Sequence, residues 1–330
     1  MSEPAEQLMG FLTGKWVPPV LGVLAELGVA DEVAEKPLAA DELAERLGVH
    51  ATALYRVLRA AASVGVFAAD DEGRFGLTPT AELLRTGVPG SLRSAAMMFG
   101  LEPFWSPYAR IAHTVRTGEP AFDQVYGHSI YQYLQENPST AETFGAAAAG
   151  FHGESMAAIA AAHDFSAYER IVDVGGGSGA LLVEVLRTAP ATRGVLLELE
   201  SVLPTAEQAF REAGMLDRVE LVAGDFFAEV PAGDAYLVKS NLHNFDDQQA
   251  IDLLRVVRRG QAPALIVETM IPAGNEPHYS KFDDVEMMVI AGGADRTEAE
   301  WIALTTAAGF EARRVVSCND RFSLLEAIPT

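Results

Sequence analysis

The residues best able to do chemistry are concentrated in the second half of the chain. Asp173-Val174-Gly175-Gly176-Gly177-Ser178-Gly179 follows one apolar run, and Leu242-His243-Asn244-Phe245-Asp246-Asp247 follows another. Glycines in such a loop let the backbone approach a nucleotide closely, and the helix that starts after them offers unpaired N–H groups. An imidazole outside the carboxyl end of a strand lies where open α/β sheets keep their ligands, and its ordinary pKa suits proton transfer near neutrality. A lone histidine is more often a satisfied structural group. His243 stands out because of the residues around it.

The loop alone names a class of cofactor rather than a reaction. Gly175, Gly177 and Ala180 fit the G-x-G-x-x-G/A pattern of dinucleotide enzymes. Asp173 with Gly175, Gly177 and Gly179 equally fits the acidic residue and G-x-G-x-G loop of enzymes that use S-adenosylmethionine. About 20 residues further on, Glu198 ends the second strand, where a carboxylate accepts hydrogen bonds from ribose hydroxyls in either class. Glu200 competes for that role. Asp225, after the third strand, can accept from an adenine amino group, and Phe226 offers an aromatic face for stacking.

Taken together, Asp173 to Gly179, Gly224-Asp225-Phe226-Phe227, Leu242-His243-x-x-Asp246-Asp247, Val267-Glu268 and Gly292-Gly293-Ala294-Asp295-Arg296-Thr297 resemble one family in order and spacing. It is the S-adenosylmethionine-dependent O-methyltransferases of the plant caffeate and bacterial polyketide type, and the resemblance covers essentially the whole chain. It implies methylation of a hydroxyl on a small aromatic secondary metabolite, with His243 as general base flanked by Glu268 and Asp295. Asp295 stands where many members carry Glu. It also implies cofactor contacts from Asp173, Gly175, Gly177, Glu198, Asp225, Phe226 and Lys239, and an acceptor pocket touched by Met287, Asn244 and Phe151. No metal is implied. Two departures stand out: the family's His-Asp-Trp is His243-Asn244-Phe245, and its Asp-Leu-Pro is Glu198-Leu199-Glu200. The first keeps a second reading open, in which the acceptor atom is nitrogen or carbon or the scaffold serves cyclisation or hydroxylation.

These residues need a scaffold that brings strand ends together. After Phe165 the pattern alternates strand and helix, the mark of a doubly wound, Rossmann-like α/β domain. Strands are expected at Arg170–Val174, Gly194–Leu199, Val219–Val222, Ala235–Lys239 and Ala264–Thr269, mostly parallel, with Glu311–Val316 and Phe322–Ala327 closing the sheet. Before it, apolar residues at helical spacing mark Val17–Leu27, Asp41–Leu47 and Ala51–Val64, followed by a strand, a turn and a strand at 65–77. That order resembles a winged helix, which in the family named above is a dimerisation domain, implying a homodimer. The expected division is 1–100 dimerisation, 101–165 a helical connector reaching the acceptor pocket, and 166–330 catalysis.

Composition excludes several alternatives. The net charge of −22 argues against duplex DNA or an anionic membrane as partner, since phosphate binding needs clustered Lys and Arg. Ala51–Ala62, the would-be recognition helix, carries only Arg56 and Arg59 as basic groups. A single cysteine, Cys318, rules out an intrachain disulfide and fits a reducing, cytoplasmic compartment. The first residues lack the basic stretch of a secretory signal. The apolar segment Trp16–Ala30 reads as a packed helix, too short to span a bilayer.

Overall fold

The computed structural model describes residues 2–152 and 155–330, without the side chains of 149, 151 and 152. Its contacts divide the chain into two units, Met1–Arg110 with Gln124–Gly153, and Ile111–Asp123 with Glu154–Thr330.

The first unit is mainly helical. Ala40–Leu47 and Ala51–Ser63 pack beside a small antiparallel sheet of β1 (Leu38–Ala39), β2 (Phe67–Ala69) and β3 (Arg74–Leu77), ordered β1-β3-β2. Leu43, Leu54, Leu58, Phe67 and Phe75 form its core. This is the expected winged-helix order, with β1 as an addition. Two helices, Val17–Glu26 and Arg93–Gly100, approach so closely that a Cβ on Gly22 would lie 2.8 Å from the Gly100 Cα. The N-terminal segment corrects an expectation. Helix begins at Glu3, not near Trp16, and runs through a 3₁₀ turn at Gly14–Trp16 to Glu26. Pro18 and Pro19 sit in the first turn of Val17–Glu26, where missing N–H groups cost least. By length and composition this run could cross a membrane, and only 17% of its most apolar window is buried.

The second unit holds a single twisted sheet. Its strands are β4 (Arg170–Val174), β5 (Arg193–Glu198), β6 (Val219–Ala223), β7 (Ala235–Lys239), β8 (Ala264–Ile271), the two-residue β9 (Arg296–Thr297), β10 (Phe310–Ser317) and β11 (Phe322–Pro329). The order is β10-β11-β8-β7-β4-β5-β6, with β9 paired to the end of β8. All neighbours from β8 to β6 are parallel, and β11 runs antiparallel to both β8 and β10. Helices cover both faces, so both sets of alternating side chains are buried. Ile171, Leu196, Leu237 and Leu265 face one core, and Val172, Val195, Tyr236 and Ile266 face the other. The strand order reverses on either side of β4, and that switch point opens a crevice at the carboxyl ends.

Candidate active site

The glycine loop leaves β4 in a conformation that side chains resist. Gly175, Gly177 and Gly179 have φ of 65°, 59° and 75°, in the left-handed region. A Cβ on Gly175 would lie 2.6 Å from the Asn241 amide nitrogen and 3.1 Å from the Phe226 ring. At Gly177 a Cβ would meet nothing within 4 Å, so that face of the loop opens onto free space. The loop is therefore packed at Gly175 and Gly179 and open at Gly177.

The loop is pinned from three directions. Glu198, at the end of β5, accepts the Gly177 amide at 3.1 Å through Oε2 and the Leu199 amide at 2.8 Å through Oε1. Asn241, just beyond β7, donates its side-chain amide to the Val174 and Gly175 carbonyls at 2.7 and 3.0 Å. Asp173 lies underneath: its side chain is buried, and a Cβ on Gly176 would sit 2.3 Å from its Oδ2. Neither Asp173 carboxylate oxygen has a hydrogen-bond partner among the described residues. Burial pushes its pKa up to about 7, against the pull of Lys239. Burial likewise brings Lys239 down to about 8, opposed by Glu268 and Asp173. Beside the loop, Asp225 is exposed and accepts the Phe227 amide at 2.8 Å. Phe226, Phe227 and Phe245 pack as an aromatic trio with centroids 5.0 to 6.3 Å apart. Phe245 thus keeps an aromatic surface at the position where the resemblance expects Trp.

The second constellation is built on the next two strand ends. Beyond β7 the backbone turns sharply at Ser240, whose φ of 51° is unusual for a residue with a side chain. A 3₁₀ turn, Leu242–Asn244, then presents His243. Its Nδ1 lies 3.1 Å from Asp295 Oδ1 and 4.0 Å from Glu268 Oε2. The two carboxylates are almost wholly buried, whereas the His243 side chain is 17% exposed. Glu268 Oε1 accepts the Asn241 and Leu242 amides at 3.0 and 2.9 Å, fixing the turn that carries the imidazole. Burial disfavours the His243 imidazolium, but Glu268 and Asp295 outweigh it and hold its pKa above the ordinary value. With Nδ1–H donated to Asp295, Nε2 is the basic atom.

Asp295 reaches His243 because its own loop is held against the turn. The Ala294 amide donates to the His243 carbonyl at 2.9 Å, and a Cβ on Gly293 would fall 2.0 Å from that carbonyl oxygen. Buried Arg296 donates to the Phe245 carbonyl at 3.1 Å and to Asp247 at 2.9 Å, and its guanidinium stacks over Trp301. Asp246 caps the helix Asp247–Arg258 in a full capping box. The acids of the 246–247 pair therefore help to build the scaffold around His243.

The structure gathers most of the expected site residues into two groups. Asp173, Gly175, Gly177, Glu198, Asp225, Phe226 and Lys239 surround the loop, and His243, Glu268 and Asp295 form a second cluster. Asn244 donates to the Ser240 carbonyl at 3.3 Å, and Met287 starts a π-helical turn, Met287–Ala291, against the His243 segment. Such turns recur at functional sites. The Phe151 side chain lies outside the described residues. Sequence reasoning missed Asn241 and Arg296. Asn241 gave no signal, because its carbonyl partners lie on a strand distant in sequence.

Comparison with known proteins identifies the family. Residues 108–311 match the O-methyltransferase domain, and residues 9–87 match the O-methyltransferase dimerisation domain. The chain belongs to the O-methyltransferase family. It is 42% identical over 327 residues to a phenazine O-methyltransferase of Lysobacter antibioticus, covering 98% of this chain and 95% of that one. It is 31% identical to a phenazine-1-carboxylate N-methyltransferase of Pseudomonas aeruginosa, covering 94% and 93%. Among solved structures it is similar to an O-methyltransferase from neocarzinostatin biosynthesis, with a TM-score of 0.83 at 30% identity over 95% of this chain and 96% of that one. That protein was crystallised with S-adenosyl-L-homocysteine and 1,4-dihydroxy-2-naphthoic acid. The choice between cofactor classes is thereby made: this O-methyltransferase uses S-adenosylmethionine, not a nicotinamide dinucleotide. The open face of the loop at Gly177 and the acids and aromatics around it fit such a group.

Proposed function

We propose that this O-methyltransferase methylates a hydroxyl of a small aromatic secondary metabolite, with His243 as the general base. The observation that carries the reading is the Nδ1 contact of 3.1 Å to buried Asp295, which leaves Nε2 as a proton acceptor. S-adenosylmethionine, when bound, supplies a methyl group already activated on sulfonium, so the protein has to position the acceptor oxygen and ionise it. A phenol of pKa about 10 is roughly one part in a thousand ionised at pH 7, a cost of about 4 kcal/mol. A positioned base contributes roughly 10²–10⁴-fold, the right size to offset that. Asp295 and Glu268 then stabilise the imidazolium that forms. Gly175, Gly177, Glu198, Asp225, Phe226 and Lys239 would hold the cofactor, with Asp173 supporting the loop from below. Asn244 and Met287 would touch the acceptor.

The exposed apolar face of the N-terminal helix supports a homodimer. Leu8, Phe11, Leu12 and Trp16 are each more than half exposed within one chain, more apolar surface than a monomer usually leaves to water.

Incubating the protein and S-adenosylmethionine with hydroxylated phenazines and naphthoates, and measuring S-adenosylhomocysteine with product mass, tests the reading. Methyl ethers on a hydroxyl oxygen support it. The similarity to an N-methyltransferase favours a second reading, in which the acceptor atom is a ring nitrogen, and turnover confined to nitrogen acceptors would select it.

A further inference from the structure

Backbone pairing between β4 and β7 ends at Asp173 and Leu237, while β7 stays paired with β8 as far as Lys239 and Val267. Past that fork, no ladder joins the glycine loop leaving β4 to the turn leaving β7. One side chain spans the gap. Asn241 Nδ2 donates to the Val174 carbonyl at 2.7 Å and to the Gly175 carbonyl at 3.0 Å, as a backbone amide would within the sheet. The main chain of the same residue is committed to the other side. Its amide donates to Glu268 Oε1 at 3.0 Å, beside the Leu242 amide at 2.9 Å. Its carbonyl accepts the Asn244 amide at 3.1 Å, closing the turn that carries His243. The left-handed residue before it, Ser240, is held on three sides. Its amide donates to the Val267 carbonyl at 3.0 Å, its hydroxyl accepts Lys239 Nζ at 3.1 Å, and its carbonyl accepts the Asn244 side-chain amide at 3.3 Å. A strained residue fixed so firmly is a feature of functional sites.

We propose that Asn241 is a positioning residue for methyl transfer, whose side chain fixes the spacing between the cofactor loop and the imidazole of His243. This rests on His243 being the base, and it names what sets that base's place relative to the cofactor. Glu268 and Asp295 hold the imidazole from its own side of the fork, and neither bonds to the glycine loop. Glu198 holds the loop from the β5 side and does not bond to the turn. Asn241 alone among these bonds to both. Transfer requires reacting atoms roughly 3–3.5 Å apart and aligned, so slack between the group that holds the donor and the group that meets the acceptor falls directly on the rate. The fit is tight, since only a glycine at 175 leaves room for the Asn241 amide.

The test uses Asn241→Leu, which keeps the shape and removes the donor, and Asn241→Ala, which admits water to the two carbonyls and carries the test if the leucine variant does not fold. Each is made in the parent and in a His243→Ala background. Two quantities are measured: kcat at saturating S-adenosylmethionine and acceptor, with a hydroxylated phenazine or naphthoate that the parent accepts, and the Kd of S-adenosylhomocysteine by titration calorimetry. In the parent background kcat should fall roughly 10–100-fold, the scale of a small misplacement, while Kd moves by no more than a few-fold. In the His243→Ala background the same change should cost kcat little, because the group being positioned is gone. Parent-like kcat once cofactor saturates would mean that Asn241 only supports the loop, and would overturn the proposal. An equal loss of kcat in both backgrounds would overturn it too, since Asn241 would then act on something other than the imidazole. His243→Ala by itself reads the base assignment: parent-like turnover there removes the base, and the proposal with it, before Asn241 is changed.

Discussion

At the scale of single residues, the structure turns a row of acids into distinct tasks. Asp295 contacts the imidazole, Glu268 holds the turn beneath it, and Asp173 lies buried without a hydrogen-bond partner among the described residues. The base has to be neutral to accept a proton, and its carboxylate neighbours favour the charged form. The acid limb of kcat/KM should therefore lie above the ordinary imidazole value of 6.5. Asp295→Asn should shift that limb to lower pH and cost roughly 10–100-fold in kcat, as loss of an orienting partner does. The same shift enters stability. A histidine raised on folding contributes stability that is complete below its unfolded pKa and is lost as pH rises through the folded one. Asp173 acts in the same sense. The native state keeps its proton to about pH 7, while an unfolded Asp releases it near 4, so stability declines as pH rises between the two. Asp173→Asn should raise the melting temperature by about 2 °C or more at pH 8, measured by calorimetry, while weakening S-adenosylmethionine binding.

At the scale of elements, most of the sheet was legible. Runs of β-branched and aliphatic residues bounded by turn signals place β4 and β7 to the residue and the other main strands within two residues. Their alternation between two cores is the physical reason, because a strand buried on both faces must be apolar throughout. The two-residue strands β1 and β9 were not legible, since a pair of residues carries no period. Nor was the π-helical turn at Met287–Ala291, whose register follows from packing and not from local pattern. The residues of the 292–297 motif were recognisable, but the reason for its glycine was not. Gly293 is required because the His243 carbonyl passes where a side chain would begin. Gly293→Ala should push the two loops apart, cost about 1–3 kcal/mol of stability and remove most turnover. Cofactor affinity, measured by titration calorimetry, should fall much less, because the glycine loop does not depend on that contact.

At the scale of the whole molecule, an acidic chain carries the proposed base among buried carboxylates, and an apolar helix at its N-terminus. The sequence suggested a packed helix from Trp16. The structure instead extends it to Glu3 and leaves Leu8, Phe11, Leu12 and Trp16 exposed. This was hard to read because Pro18 and Pro19 look like a break, yet they occupy a helix's first turn. A second copy is the partner these residues suit. Sedimentation velocity should show a dimer, and Phe11→Glu with Trp16→Glu should shift it to monomer without loss of the sheet domain's circular dichroism. The lone thiol, Cys318, has no part in this. Burial raises its pKa to about 11, so it is inert near neutrality.

The proposed chemistry requires that His243 remove the acceptor's proton. The most direct measurement is single-turnover methyl transfer from labelled S-adenosylmethionine by His243→Ala at saturating cofactor, using a hydroxylated phenazine or naphthoate that the parent enzyme accepts. Methyl transfer should slow by roughly 10²-fold or more at pH 7, and the gap should narrow as the pH approaches the acceptor's own pKa. Transfer at the parent rate across the whole pH range would contradict it.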